Sequence, residues 1–229
     1  WQTIEFGCAI FRMARWPTPA RSDGNTPPQV FSTLTGRRAS TSRGLISPRP
    51  TDPMTDRHSG RAHLEKFLHA HALDFEEVNE TTIAVVVPGE KKLTTTASFA
   101  FGDTTVTVNA FVIRHPDEND LAVYRWLLER NRRMYGLAYS IDHHGDIYLT
   151  GRFPLDAITD AELDRIFGAI SEYADGAFNS LLELGFVTAI RREWQWRTKA
   201  GLPTDNLAAF AHLADPDQSD QSERPDQGQ

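Results

Sequence analysis

The chain has one cysteine, Cys8, in 229 residues. A single thiol forms neither an intrachain disulfide nor a cysteine-based zinc site, so no covalent staple is available to the fold. That usage fits a reducing cytoplasm. Long apolar runs are missing too. None approaches the roughly 18 residues a helix needs to cross a bilayer, and no membrane partner is expected. Positive charge is in deficit, with 24 Lys and Arg against 31 Asp and Glu. The resulting formal charge of -7 repels phosphate backbones and argues against nucleic acid as a partner. Motifs of catalysis are absent as well: there is no G-x-S-x-G elbow, no phosphate-cradling glycine loop and no dinucleotide fingerprint. The expectation is a protein without a cofactor and without catalysis.

What is present divides into three parts. The first 53 residues hold seven Arg, no Lys, three acids and seven of the thirteen Pro. They carry a charge of +4, which leaves -11 for residues 54–229. They show no sustained apolar periodicity, so they cannot bury enough surface to offset the entropy of ordering. This segment reads as a disordered or spurious extension. It is upstream sequence read in frame ahead of a start at Met54, an Arg- and Ser-rich targeting peptide, or an interaction tail. Residues 214–229 read as a disordered acidic tail, with no hydrophobic side chain from Asp215 onward. Residues 54–213 between them read as the folded domain.

Within that domain, Leu64, Phe67, Leu68 and His71 fall at i, i+3, i+4 and i+7 and predict a helix over about 60–72. Three alternating, β-branched stretches follow at 82–87, 93–101 and 104–113. Turns at Pro88-Gly89 and Gly102-Asp103 join them. A second helix begins after Pro116. Asp117, Glu118 and Asp120 complement the dipole at its start, and Arg130, Arg132 and Arg133 do so at its end, with Gly136 as its stop. A second hairpin pairs 137–141 with 147–153. Thr159-x-x-Glu162 then reads as a capping box opening a helix of about six turns. Its stripe runs through Leu163, Ile166, Phe167, Ile170, Tyr173, Ala177, Phe178, Leu181 and Leu184. Further helical pieces are expected at 186–199 and 205–213. The order α-β-β-β-α-β-β-α, with tight hairpins, predicts an α+β fold in which an antiparallel sheet carries helices on one face.

In this order the chain resembles the YbjN family, most of all its actinobacterial branch, over about residues 61–213. The likeness rests on Pro88-Gly89-Glu90, Arg114-His115-Pro116-Asp117-Glu118-Asn119, Tyr124-Arg125 and Arg130-Asn131-Arg132-Arg133 with Tyr135-Gly136. It rests also on Gly145-Asp146-Ile147-Tyr148-Leu149, Leu181-Leu182-Glu183-Leu184-Gly185-Phe186 and Arg191-Arg192-Glu193-Trp194-x-Trp196. The resemblance implies a fold shared with type III secretion chaperones. It also implies a broad role in regulating sensory transduction and no established catalytic residue. By the same likeness to those chaperones, it implies homodimers that bind extended client segments.

Two basic-aromatic patches are the candidate partner-binding residues: Arg130, Arg132 and Arg133 with Tyr135, and Arg191 and Arg192 with Trp194 and Trp196. Arg and Trp are enriched at binding hot spots, and Arg over Trp offers cation–π contact. Helix-end charge compensation explains the first patch equally well, and core or dimer packing explains the second. Asp142, His143, His144 and Asp146 form the densest ligand-like cluster, but Asp and Gly suit a hairpin bend for backbone reasons alone. No metal site is expected there. His69 and His71, two apart on a helix, face different ways. The expected function is therefore a non-enzymatic module that captures a protein or peptide partner, as a homodimer. The alternative is a small-molecule sensor or an unrecognised enzyme, with a pocket lined by Tyr124, Tyr139 and Tyr148.

Overall fold

The computed structural model describes residues 53–214, with side chains described from Arg57 onward. The expectations for residues 1–52 and for the tail from Asp215 lie outside the described residues. In chain order the elements are α1 (Pro53–Ala70), β1 (Asp74–Asn79), β2 (Thr82–Pro88), β3 (Thr94–Phe101), β4 (Thr105–Ile113) and α2 (Asp120–Asn131). Then come β5 (Ala138–Ile141), β6 (Ile147–Pro154), α3 (Asp160–Ile170), α4 (Phe178–Gly185) and α5 (Val187–Ala200). The strands form one sheet in the order β1-β2-β3-β4-β6-β5, antiparallel at every pairing.

Side chains alternate across a strand, so one face of the sheet collects Ile83, Val85, Ala97, Phe99, Val106, Val108, Ala110, Ile147 and Leu149, all buried. The helices cover this face. Leu64 and Leu68 of α1, Leu163, Ile166 and Ile170 of α3, and Leu181 of α4 are buried with it. Phe167 is the hinge of the packing, with its ring 5.6 Å from Phe67 on α1 and 5.3 Å from Phe99 on β3. Each large side chain so buried contributes about 1.5–3 kcal/mol. The opposite face carries Thr96, Thr107, Tyr148 and Thr150, exposed or half-buried.

Four features depart from the sequence expectation. β1 is an additional strand at one sheet edge. Its only apolar residues are Phe75 and Val78, and none of its positions is buried. It is held by backbone pairing to β2, with Phe75 opposite Val85, and such an edge strand leaves no alternating hydrophobic signature. The six-turn helix is interrupted. Ser171–Asp175 is π-helical, and the chain turns at Gly176 before α4. This offset moves the inward positions from Tyr173 and Leu184, which are half-buried, to Ala174 and Leu182, which are buried. The capping box is half made. Glu162 N–H donates to Thr159 Oγ1 at 3.2 Å, while the Glu162 carboxylate accepts instead from Tyr135 and Arg165. Gly136 is also not the stop of α2. The helix ends at Asn131, and Gly136, with φ of 65°, lies where a Cβ would come within 2.9 Å of the Phe153 ring.

The π segment is tied to the β2–β3 loop. Asp175 Oδ1 accepts from the backbone N–H of Lys91 and of Lys92, each at 2.8 Å. Lys92 Nζ donates to the Phe111 carbonyl and lies 5.0 Å from the centroid of that ring. Burial pushes the Lys92 ammonium down from 10.5 to about 8, with Asp175 opposing part of the shift. Between those values the unfolded chain binds more protons than the folded one, so stability rises with pH through that window. Below pH 8 the cost of enclosing the charge is present in full. Lys92→Met is expected to raise stability near neutral pH by about 1–3 kcal/mol, and the gain should shrink above about pH 10. Urea unfolding of both proteins at the two pH values measures this, and an equal gain at both would contradict it.

Candidate functional site

α2 is anchored at both ends. At its start, Arg114 pairs with Asp117 at 2.6 and 2.8 Å, and Glu118 accepts from Thr188 N–H and Oγ1 at 2.7 and 2.9 Å. The N–H groups of Asp117 and Glu118 both donate to the Gly185 carbonyl, and Asn119 Nδ2 donates to Leu184 O. Gly185 sits so close that a Cβ there would lie 2.8 Å from Pro116. Of the three acids expected in the first turn, only Asp120 is in it. Arg114 holds the Asp117 carboxyl below its ordinary range, chiefly by this hydrogen bond.

The other end of α2 is latched to β5. Tyr139 N–H donates to Asn131 Oδ1 at 2.8 Å, and Asn131 Nδ2 donates back to Tyr139 O at 3.2 Å. One side-chain amide thus satisfies both backbone groups of a residue on an edge strand and closes that edge to a further strand at this point. The latch presents Arg130 in the last turn of α2, with Arg132 and Arg133 just beyond it.

These three arginines line a cavity of about 650 Å³. Met134, Tyr139 and Glu129 complete its near side, and Glu172, Tyr173, Gly176 and Ala177 form the far wall. The Arg130 guanidinium lies 3.4 Å from the centroid of the Trp126 ring. Tyr139 OH donates to the Tyr173 carbonyl at 2.7 Å, and Tyr173 OH accepts from Tyr135 N–H at 3.2 Å. Burial holds the Tyr139 phenol well above its ordinary range, Arg130 pulling the other way. Glu129 is engaged by Arg125 at 2.9 Å. Among the described residues, Arg130, Arg132 and Arg133 form no ion pair with a carboxylate. Guanidinium forks match planar oxyanions in geometry, and three of them are contributed by residues of this lining.

The sequence candidates are thus partly gathered. Arg130, Arg132 and Arg133 share the pocket. Tyr135 stands behind its wall, with its hydroxyl donating to Glu162 at 3.0 Å. The second patch lies elsewhere. Arg192 is near enough to Asp117 to lower that carboxyl's pKa, which places it beside the start of α2. The pocket lies at the other end of α2, a 12-residue helix about 18 Å long. On α5, Arg192 and Trp196 are exposed, whereas Arg191 and Trp194 are half-buried, and Arg191 Nε is enclosed without a hydrogen-bond partner. Among the described residues no arginine stacks on Trp194 or Trp196. The cation–π pair anticipated there is found at Arg130 and Trp126. Sequence reasoning missed Trp126, Glu172 and Tyr173 at the pocket. The cue that existed was Trp126 lying four residues before Arg130, one helical turn away.

Tyr124, Tyr139 and Tyr148 do not converge. Only Tyr139 lines the pocket, and Tyr148 stands on the other face of the sheet, its ring 5.5 Å from Phe111. The Asp142–Asp146 bend is held by its own groups. Asp142 Oδ1 accepts from the N–H of His144 and of Asp146, each at 2.9 Å, while Asp146 Oδ1 accepts from His115 N–H at 2.7 Å. The His143 and His144 rings face each other at 3.8 Å. Among the described residues, no group of three or more His, Cys, Asp or Glu side chains is placed to hold a metal ion. No helix among them is long and apolar enough to cross a membrane.

Comparison with known proteins places relatives beside this geometry. The family model "YbjN: Putative bacterial sensory transduction regulator" matches residues 61–183. An uncharacterized protein of Mycobacterium tuberculosis is 52% identical over 131 residues, covering 57% of this chain and 72% of its own. Another from Mycobacterium leprae is 44% identical over 155 residues, covering 67% and 84%. Among solved structures, the heterodimeric ExoU-SpcU complex from the type III secretion system of Pseudomonas aeruginosa contains a chain with a TM-score of 0.41 and 15% identity. The match covers 54% of this chain and 98% of that one. A chain of the HopA1-SchA chaperone-effector complex has a TM-score of 0.42 and 15% identity, over 56% and 97%.

Asn131→Ala leaves both Tyr139 backbone groups without their partner. The expected loss is about 1–3 kcal/mol of unfolding free energy with an unchanged denaturant slope, read by urea titration. A loss under about 0.3 kcal/mol would show that the latch does not hold α2 to the sheet.

Proposed function

Because the chain belongs to the YbjN family, we propose that it is a non-enzymatic regulatory module that captures a protein or peptide partner. The observation that carries this reading is that three arginines, in no ion pair with a carboxylate among the described residues, line one cavity. Arginines that keep their protons recognise charge but do not shuttle it. The Tyr139 hydroxyl beside them is committed to a backbone carbonyl. An acidic or carboxylate-bearing segment satisfies the arginines with charge-assisted, bidentate hydrogen bonds. Arg192 and Trp196, backed by Arg191 and Trp194, serve as a second contact. An extended segment of about six residues spans the roughly 18 Å length of α2.

The working form is a cytoplasmic homodimer. One cysteine leaves no intrachain disulfide to maintain, in keeping with a reducing compartment. On α2, Leu121 is 84% exposed and Leu128 is 66% exposed, seven residues apart on one face, with Tyr124 half-buried between them. Ile141 on the adjoining edge strand is 50% exposed. Apolar side chains this open, on a helix whose other face is buried through Val123 and Leu127, suit a symmetric contact with a second copy.

Affinity purification from the native host, with wild-type protein beside Arg132→Ala and Trp196→Ala, tests capture. The reading expects one protein retained by the wild type, lost about tenfold or more by Arg132→Ala and weakened by Trp196→Ala. Equal retention by all three would overturn the assignment of the patches. Light scattering on Leu121→Asp with Leu128→Asp tests the dimer. A wild-type dimer that the double variant converts to monomer is expected, and a wild-type monomer contradicts it.

A further inference from the structure

The open pocket at the end of α2 has the volume and the arginines to receive a small anion as well as a docking segment. Its volume of about 650 Å³ lies within the range of about 300–1,000 Å³ common to ligand cavities. Glu129 is already engaged by Arg125, so Glu172 is the one carboxylate of the lining that opposes Arg130, Arg132 and Arg133. Three guanidiniums against that single carboxylate leave a surplus of two positive charges. A simple carboxylate neutralises one of them. A phosphate monoester, close to a dianion at neutral pH with three acceptor oxygens, neutralises both and can engage more than one guanidinium fork.

Part of the cavity is organised in advance. Arg130 is held flat on Trp126, Asn131 locks the end of α2 to β5, and the Tyr139 and Tyr173 hydroxyls are both occupied by backbone partners. Arg130 and the two tyrosines are thus held before binding, while the exposed Arg132 and Arg133 are the side chains that a ligand orders. Tyr139, Tyr173, Met134 and Ala177 supply the mainly apolar wall against which an organic body packs. The domain over residues 54–213 is acidic, with a net charge of -7, so a basic recess is a local reversal of its charge.

We propose that the cavity between the end of α2, β5 and the 171–177 segment binds a small phosphate monoester, whose phosphate is gripped by Arg130, Arg132 and Arg133 and whose organic part rests against Tyr139 and Tyr173. This inference rests on the pocket being the binding site and adds a ligand to the partner-capture reading. The far wall connects the cavity to the β2–β3 loop, because Asp175 caps the N–H groups of Lys91 and Lys92 while Gly176 and Ala177 line the pocket. Occupancy is therefore placed to tighten that loop.

The test is isothermal titration of the full chain in a phosphate-free buffer at constant ionic strength, with phenyl phosphate, inorganic phosphate, benzoate and a phosphoserine peptide as probes. Phenyl phosphate is expected to bind saturably with a dissociation constant below about 1 mM, and benzoate to bind at least about tenfold more weakly. Arg132→Gln with Arg133→Gln should weaken phenyl phosphate by about 10–100-fold. Both positions are exposed, so the melting temperature without ligand should not change; Arg152→Gln, an exposed arginine away from the pocket, should bind as the wild type does. Three results would overturn the proposal: no saturable binding of phenyl phosphate, equal binding of benzoate, or equal binding by the double variant. Binding of the phosphoserine peptide without phenyl phosphate would overturn the small-molecule source. If phosphate binding fails while Arg132→Ala still loses the retained protein, capture stands and this inference falls.

Discussion

One face of a six-stranded antiparallel sheet has to be kept dry, and the remainder of the domain is arranged around that requirement. β2, β3, β4 and β6 turn their Val, Ile, Leu and Phe side chains to one side, and α1, α3 and α4 supply the cover. Phe167 touches both the α1 layer and the sheet and joins the two. The opposite face carries threonines and half-buried aromatics and makes no such demand. With the cover fixed, α2 has a defined berth beside β5 and α4. The residues just before it are clamped to the α4–α5 junction through Gly185, and its last residue is latched to Tyr139.

That berth produces the basic pocket. The arginines come from the end of α2, the phenol beside them from β5, and the far wall from the π segment and the turn at Gly176. None of these elements forms the cavity alone. The π segment serves two sides at once. Tyr173 offers its carbonyl to Tyr139 and its hydroxyl to the Tyr135 N–H, while Asp175 holds the β2–β3 loop. The pocket wall and a sheet-end loop are therefore joined through the same short segment.

Much of this was legible in the residues. Strict alternation from Thr94 to Ile113 predicted two strands because a half-buried sheet requires it, and the second hairpin followed for the same reason. The arginine run was visible because its members are neighbours in sequence. What stayed hidden depends on geometry that periodicity does not carry. β1 buries nothing, so Phe75 and Val78 alone could not announce it. The offset at Ser171–Asp175 moves the buried positions from Tyr173 and Leu184 to Ala174 and Leu182, residues equally at home on either face of an uninterrupted helix. On α5, residues two apart point in different directions. Trp194 and Trp196, paired on paper, part company in space, and the arginine that does stack on an indole is Arg130. Tyr173 and Glu172 reach the pocket from some forty residues downstream, beyond any local signal.

The central claim is that recognition is concentrated at the arginine pocket. Arginine-selective footprinting of the full chain with phenylglyoxal, read residue by residue by mass spectrometry with and without the partner recovered from the host, tests it most directly. The account predicts that the partner slows modification of Arg130, Arg132 and Arg133 by about tenfold or more while Arg152 reacts at its free rate. Protection at other arginines, with those three reacting as fast in the complex as in the free protein, would contradict it.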